Sequence, residues 1–297
     1  MAPQPLFIDS HPARQLRSPI EHFHGWAGLE KPAERVEAFC NGHNLRMARA
    51  PRPDVARAGH VNYFGFAFFV DLPGLVADGD ATPDTLDIEF RGDGEVVASF
   101  QVRVDSALVE AARLIHAHRT VKANFLASSL RAAPGRIGGC EAPSALPGDW
   151  ILSPRLEDMT DAVSSHGYGP EVVSFLEGLG RDAWVLDAGA GLRRWPTRNV
   201  INVEIYDYPS TDILAVGQNL PFKDNTFDGV LSLAVLEHVD DPFLCASELV
   251  RVLKPGGKIM VIIPFLQSEH GYPSHFFNAT RFGVRKLFEK GASLERQ

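Results

Sequence analysis

Asp187-Ala188-Gly189-Ala190-Gly191 places one carboxylate and two glycines directly after the apolar run Ala183-Trp184-Val185-Leu186. Glycines at alternate positions remove side chains where a loop must bring its backbone up to a ligand. Glu204 closes a second apolar run, Val200-Ile201-Asn202-Val203, and a carboxylate there can accept from both hydroxyls of a vicinal diol. Gln218-Asn219-Leu220 follows a third run, where polar groups can read a base edge and Leu220 can pack on its face. An Asp-x-Gly-x-Gly run alone is common in turns. The ordered series of strand, glycine loop, strand and acid is far more specific.

Histidines supply the candidates for proton transfer, because imidazole titrates near neutrality. His238 follows a fourth apolar run. His270 and His275 stand with Glu269 and several aromatics in the loop from Pro264 to Thr280. The structural alternative for His238 is fixing the geometry of a helix start, and for His270 and His275 packing or hydrogen bonding. A metal on His270, His275 and Glu269 has no diagnostic spacing, and none is expected. Cys40, Cys140 and Cys245 form no CxxC pair, so a zinc or disulfide framework is not expected and buried free thiols are.

The elements that must carry these residues alternate. A helix with Pro170 in its first turn precedes the strand 183–186; strands at 200–203, 213–216 and 229–233 follow, then a helix at about 242–253, the turn Lys254-Pro255-Gly256-Gly257 and the strand 259–263. The last strand is apolar throughout, as expected of one covered on both faces. Such alternation implies a parallel, doubly wound α/β sheet, with ligands at the carboxyl ends of its strands.

Asp187-Ala188-Gly189-Ala190-Gly191, Leu220-Pro221-Phe222, Phe227-Asp228-Gly229-Val230, Val235-Leu236-Glu237-His238-Val239 and Arg251-Val252-Leu253-Lys254-Pro255-Gly256-Gly257 together resemble class I S-adenosylmethionine-dependent methyltransferases, in the small-molecule branch with LEHV and LKPGG motifs. The resemblance spans about 168–289 and implies a Rossmann-like domain. It further implies that Asp187, Gly189 and Gly191 line the methionine part of S-adenosylmethionine, that Glu204 holds the ribose, that Gln218 and Leu220 flank adenine, and that Leu233 and Ala234 lie near the sulfonium. Ala188, Ile205 and Asn219 complete that cofactor set. Two departures stand out. Gln218 replaces a frequent acid, and Arg193-Arg194-Trp195-Pro196 leaves little room for the usual helix after the glycine loop.

The first hundred residues read differently. Leu86, Ile88 and Phe90 alternate with Asp87, Glu89 and Arg91, and Ala98, Phe100, Val102 and Val104 with Ser99, Gln101 and Arg103. Gly92-Asp93-Gly94 and Asn41-Gly42 are hairpin turns. Further strands are expected at 20–25 and 64–70. The pattern resembles immunoglobulin-like β-sandwiches over about 5–105, a domain type sometimes attached to sugar-processing enzymes. Trp26, Phe64, Phe66, Phe68 and Phe69 are read as core rather than as a glycan platform. A helix from Ser106 to about His118, with solvated His116 and His118, and a Gly/Pro/Ala-rich linker over 132–148 make up the joining stretch 106–153 before the α/β domain, 154–297.

The chain of 297 residues carries a formal net charge of −8, which disfavours charge-driven nucleic-acid binding. No secretory leader or membrane span is read, so a cytoplasmic protein is expected. The favoured function is methyl transfer from S-adenosylmethionine to a small polar acceptor, first a saccharide or glycan-precursor hydroxyl. The alternative is a non-catalytic binding protein whose sandwich recognises a saccharide or protein partner. After the helix 281–289, Gly291-Ala292-Ser293-Leu294-Glu295 would enter a sixth strand. No residues remain for a seventh, so a reduced sheet or a sequence cut from a longer chain is expected.

Overall fold

The computed structural model describes residues 6–31, 33, 35–49, 52–60, 62–77, 83–131, 165–270 and 274–293. The described residues fall into two compact units, those up to 117 and those from 118 on.

The first unit is built on strands β1 (Leu6–Ile8), β2 (Ile20–Gly28), β3 (Val36–Cys40), β4 (His43–Leu45) and β5 (Met47–Arg49), the short helix α1 (Pro53–Arg57), strand β6 (Tyr63–Asp71), the turn of helix α2 (Leu72–Leu75), and strands β7 (Thr85–Gly92) and β8 (Glu95–Arg103). They pair into two four-stranded antiparallel sheets, β1-β2-β6-β5 and β4-β3-β7-β8. Both hairpin turns read from the sequence are present, since Cys40 pairs with His43 and Gly92 with Glu95. One core joins inward residues of both sheets, among them Phe23, Phe66 and Phe68 from one and Ile88, Phe90 and Phe100 from the other. The Phe66 and Phe90 rings lie 4.6 Å apart. Trp26, Phe64, Phe66 and Phe68 are buried and Phe69 half-buried. These aromatics therefore contribute apolar burial, about 1.5–3 kcal/mol for each fully buried ring.

Helix α3 (Ser106–Ser129) runs well past the expected end at His118. Apolar positions recur beyond it, and Leu126 and Leu130 enter the core of the second unit. Phe125 stacks on Trp184 at 3.8 Å, and Lys122 is buried in an ion pair with Asp212 at 2.7 Å. His118 is half-buried rather than solvated; burial, Arg198 and Lys122 pull its pKa down. The linker residues 132–153 lie outside the described residues, and Cys140 with them.

The second unit continues with α4 (Pro170–Leu179), β9 (Val185–Ala188), β10 (Val200–Glu204), β11 (Ile213–Leu214), β12 (Phe227–Leu233), a 3-10 turn at Leu236–His238, α5 (Pro242–Val252), β13 (Leu253–Ile262) and α6 (Arg281–Phe288). Its five strands are all parallel, in the order β11-β10-β9-β12-β13. Pro170 and Pro242 open their helices at the first turn, where no intrahelical N–H is needed. Asp241 caps α5 by accepting from Leu244 N–H at 2.9 Å. Val185, Val200 and Leu231 face α4, whereas Leu186, Ile201 and Val230 face α5, α6 and the end of α3. Among the described residues the connections β9–β10, β10–β11 and β11–β12 contain no helix, so the end of α3 covers part of the sheet that a crossover helix would cover.

Two expectations change at β13. Lys254-Pro255-Gly256-Gly257 is not a boundary turn but a bulge, because Phe227 pairs with Leu253 and Gly229 with Lys258. The strand is half-exposed along most of its length, since no described strand pairs with its outer edge. Residues 291–293 form no strand, and 294–297 lie outside the described residues.

Candidate functional site

The glycine loop leaves β9 at the centre of the sheet. Gly189 and Gly191 have φ of +75° and +63°, in the left-handed region that favours glycine. A Cβ on Gly189 would also lie 2.4 Å from Val235 Cγ2. The N–H groups of Gly189 and Ala190 both donate to the Val203 carbonyl, at 2.9 and 3.1 Å, fastening the loop to β10.

Glu204 ends β10 and meets that loop. Its Oε1 accepts from Gly191 N–H at 3.0 Å, and its Oε2 from Ile205 N–H at 2.6 Å and Tyr206 N–H at 3.2 Å. Burial pushes the Glu204 carboxyl above its ordinary pKa, against the pull of those three N–H groups. A carboxylate has about four acceptor positions, so capacity for a further donor remains. Ile205 contributes its backbone N–H to this arrangement.

Asp187 is fully buried and already paired. Its Oδ2 lies 2.8 Å from Arg193 Nη2, accepts from Arg193 Nε at 3.0 Å, and accepts from the Tyr168 hydroxyl at 2.6 Å. The Arg193 guanidinium lies 4.4 Å from the Tyr168 ring centroid and donates to His166 O at 2.6 Å. Burial, then the Asp187 charge, holds the Tyr168 hydroxyl well above its ordinary pKa, so it stays a donor. The other Asp187 oxygen, Oδ1, is buried without a hydrogen-bond partner among the described residues. Sequence reading placed Arg193 behind the glycine loop but missed this pairing. The arginine two residues after Gly191 was its only signal. Ala188 is buried beneath the loop.

Gln218 Nε2 donates to Asp240 Oδ1 at 2.9 Å, and Asn219 is exposed. Leu220 corrects the expectation that it packs on a base. Its side chain is fully buried in the core, its N–H donates to Glu248 and its carbonyl accepts from Arg251. Leu233 is half-buried at the end of β12, and Ala234 is exposed, with a φ of +56° and an N–H donating to Ile262 O at 2.8 Å.

The three histidines converge beyond β12 and β13. Ring centroids lie 5.2 Å apart for His238–His270, 5.8 Å for His238–His275 and 4.4 Å for His270–His275. His238 Nδ1 lies 2.8 Å from Ser274 O and His270 Nδ1 2.9 Å from Ser268 O. A carbonyl only accepts, so Nδ1 carries a proton in both rings, and in the neutral ring Nε2 is the acceptor atom. His275 does not share that freedom. Its Nδ1 accepts from His270 N–H at 3.3 Å, and its Nε2–H faces Phe277 O and Asn278 Oδ1, each at 3.1 Å. It therefore positions His270, which corrects its reading as a base. Sequence reading also gave no role to Glu237, whose fully buried carboxylate faces this cluster. Burial pushes that carboxyl above its ordinary pKa, against its own backbone N–H and the three histidines.

Residues 171–261 match the family described as a methyltransferase domain. An uncharacterized methyltransferase of Mycobacterium tuberculosis is 35% identical over 88 residues, 28% of this chain and 34% of that protein. A cycloartenol-C-24-methyltransferase of Oryza sativa subsp. japonica is 36% identical over 75 residues, 25% of this chain and 21% of that protein. The chain thus matches about a third or less of the length of these curated relatives. Among solved structures, a SAM-dependent methyltransferase of Thermotoga maritima is 23% identical with a TM-score of 0.31, covering 40% of this chain and 67% of that chain. The matched segment holds β9 to β12, all but the last residue of β13, the glycine loop and Glu204, and in sequence residues 171–261 are accordingly a match to the methyltransferase-domain family.

Proposed function

We propose that this protein transfers a methyl group from S-adenosylmethionine to an oxygen of a small polar acceptor, a saccharide hydroxyl in the first instance. The observation that carries the reading is the bond from Gly191 N–H to Glu204 Oε1, which couples the glycine loop to the acid at the ends of neighbouring parallel strands. The residues fit the cofactor: two glycines leave the loop backbone bare, Glu204 has capacity for a ribose hydroxyl, and Asp187 Oδ1 awaits a donor.

When bound, S-adenosylmethionine supplies an electrophilic methyl group and leaves as S-adenosylhomocysteine. The protein's part is alignment and proton removal. Glu204 orients the ribose, and the glycine loop fixes the depth of binding. Nε2 of His238 or His270 takes the acceptor hydroxyl's proton as its oxygen attacks the methyl carbon. The N-terminal unit, which we read as a β-sandwich, keeps its large aromatics mostly inside, so acceptor recognition falls to the histidine loop.

One observation favours the second reading, a binding protein with a non-catalytic α/β unit: Asp187 is already neutralised by the chain's own Arg193. Incubating the full chain with S-adenosylmethionine and a panel of sugars and nucleotide sugars separates the two. Acceptor-dependent S-adenosylhomocysteine and a new O-methyl proton resonance are expected. Cofactor binding with no turnover on any acceptor would contradict the transferase reading.

A further inference from the structure

We propose that Glu237, His238 and His270 form a binding site for one divalent transition-metal ion of the zinc type. One ligand atom from each of the three residues lies within 4.8 Å of the others. The site joins two loops, the 3-10 turn after β12 and the segment after β13.

The first argument is the state of Glu237. Its side chain is fully buried, and both carboxylate oxygens lack a hydrogen-bond partner among the described residues. Its own backbone N–H gives it some compensation, but a buried carboxylate so poorly paired is costly unless it is neutralised or coordinates a cation. His238 Nε2 stands 4.0 Å from Oε1. That is too long for a hydrogen bond. It is close to the separation of about 3.4 Å between two ligands on one tetrahedral ion with bonds of about 2.1 Å.

The second argument is the prepared tautomers. Ser274 O and Ser268 O accept hydrogen bonds from Nδ1–H of His238 and His270, so in the neutral ring Nε2 is the atom that offers a lone pair. A carbonyl behind each imidazole is the usual outer support of a metal-bound histidine. His275 adds a further support, because its Nδ1 accepts from the His270 backbone. The two loops are also tied together, with Phe276 N–H donating to Glu237 O at 2.7 Å.

The donor set defines the ion. Two imidazoles and one carboxylate, without thiolate, suit Zn2+, Co2+, Mn2+ or Fe2+ and leave coordination positions open for water or an acceptor oxygen. The competing arrangement is a metal-free site in which Glu237 is protonated or paired with an imidazolium and His238 or His270 acts as the base; an ion held by both Nε2 atoms excludes that role for them.

The test uses the full chain, stripped with a chelator and titrated with Co2+ and with Zn2+ in the absence of any methyl donor. The site predicts one ion per chain, visible Co2+ bands of a nitrogen–oxygen ligand set, and a rise in Tm with Zn2+. Glu237→Gln and His270→Ala each lower affinity by at least about 100-fold, and His275→Ala by about 10-fold. His116→Ala, on exposed α3 surface, leaves binding unchanged. If Glu237→Gln fails to fold by circular dichroism, His270→Ala in the outer loop carries the comparison. Wild-type chain that binds no ion, or folded His270→Ala that binds as tightly as wild type, overturns the proposal. The result stands whichever way the methyl-transfer assay falls.

Discussion

The backbone N–H of Gly191 donates to Oε1 of Glu204 across 3.0 Å. The loop that must approach a ligand through its backbone is thus held by the same carboxylate that is free to accept a further donor. Anything that loosens one partner weakens the other.

Gly189→Ala should show the steric side of this coupling. The new methyl group meets Val235 at 2.4 Å, and the residue keeps a φ of +75°. A left-handed backbone costs an alanine about 1–2 kcal/mol before the clash is counted. Thermal melts should place the variant several degrees below wild type. Adding Val235→Ala removes the clash but not the strain, so only part of the loss should return.

Asp187 and Arg193 should behave as a unit. Removing one charge strands the other in a buried site, at about 3–5 kcal/mol. Asp187→Asn and Arg193→Met are each expected to lower the denaturant midpoint of the second unit sharply, whereas the double variant should lie closer to wild type than either. Additive losses would contradict the pairing.

Glu248 gives the acid limb of stability. Burial raises its pKa, but Arg251, Leu220 N–H and Arg131 outweigh burial and hold it below the ordinary carboxylate range. Its contribution is therefore present above about pH 4.5, the unfolded value, and lost as pH falls through the folded value. Tm measured from pH 7 to pH 3 should drop less steeply for Glu248→Gln, which should start about 1–3 kcal/mol less stable at pH 7.

Glu204 carries the opposite sign. Its pKa is raised by burial. Its effect on folding is thus most favourable below about pH 4.5 and declines as pH rises through the folded value. Cofactor binding should run the other way, because only the carboxylate presents both oxygens to ribose donors. Affinity measured against pH should fall on the acid side at a higher pH than an ordinary glutamate would give, and Glu204→Gln should abolish that limb.

Much of this was legible in the sequence, because the signals were local. Alternation around Leu86, Ile88 and Phe90 and the turn residues Asn41-Gly42 and Asp93-Gly94 wrote the antiparallel sheets directly. The strand-and-glycine series wrote the parallel sheet and the position of Glu204. What escaped depended on distant partners. Leu220 looked available beside polar neighbours, yet the core claims its side chain and Glu248 and Arg251 claim its backbone. His275 looked equivalent to His270 until both its nitrogens found partners. The helix read from the sequence stopped near His118, yet α3 runs on to Ser129, where Leu126 enters the core of the second unit and Asp212, far along the chain, pairs with the buried Lys122.

Calorimetric titration of S-adenosylmethionine into the full chain and into Glu204→Ala tests the central claim most directly. The account predicts one site in the wild type and at least a tenfold loss in the variant, about 1.4 kcal/mol, with the variant still folded. No binding to the wild type, or equal binding to a folded Glu204→Ala, would contradict it.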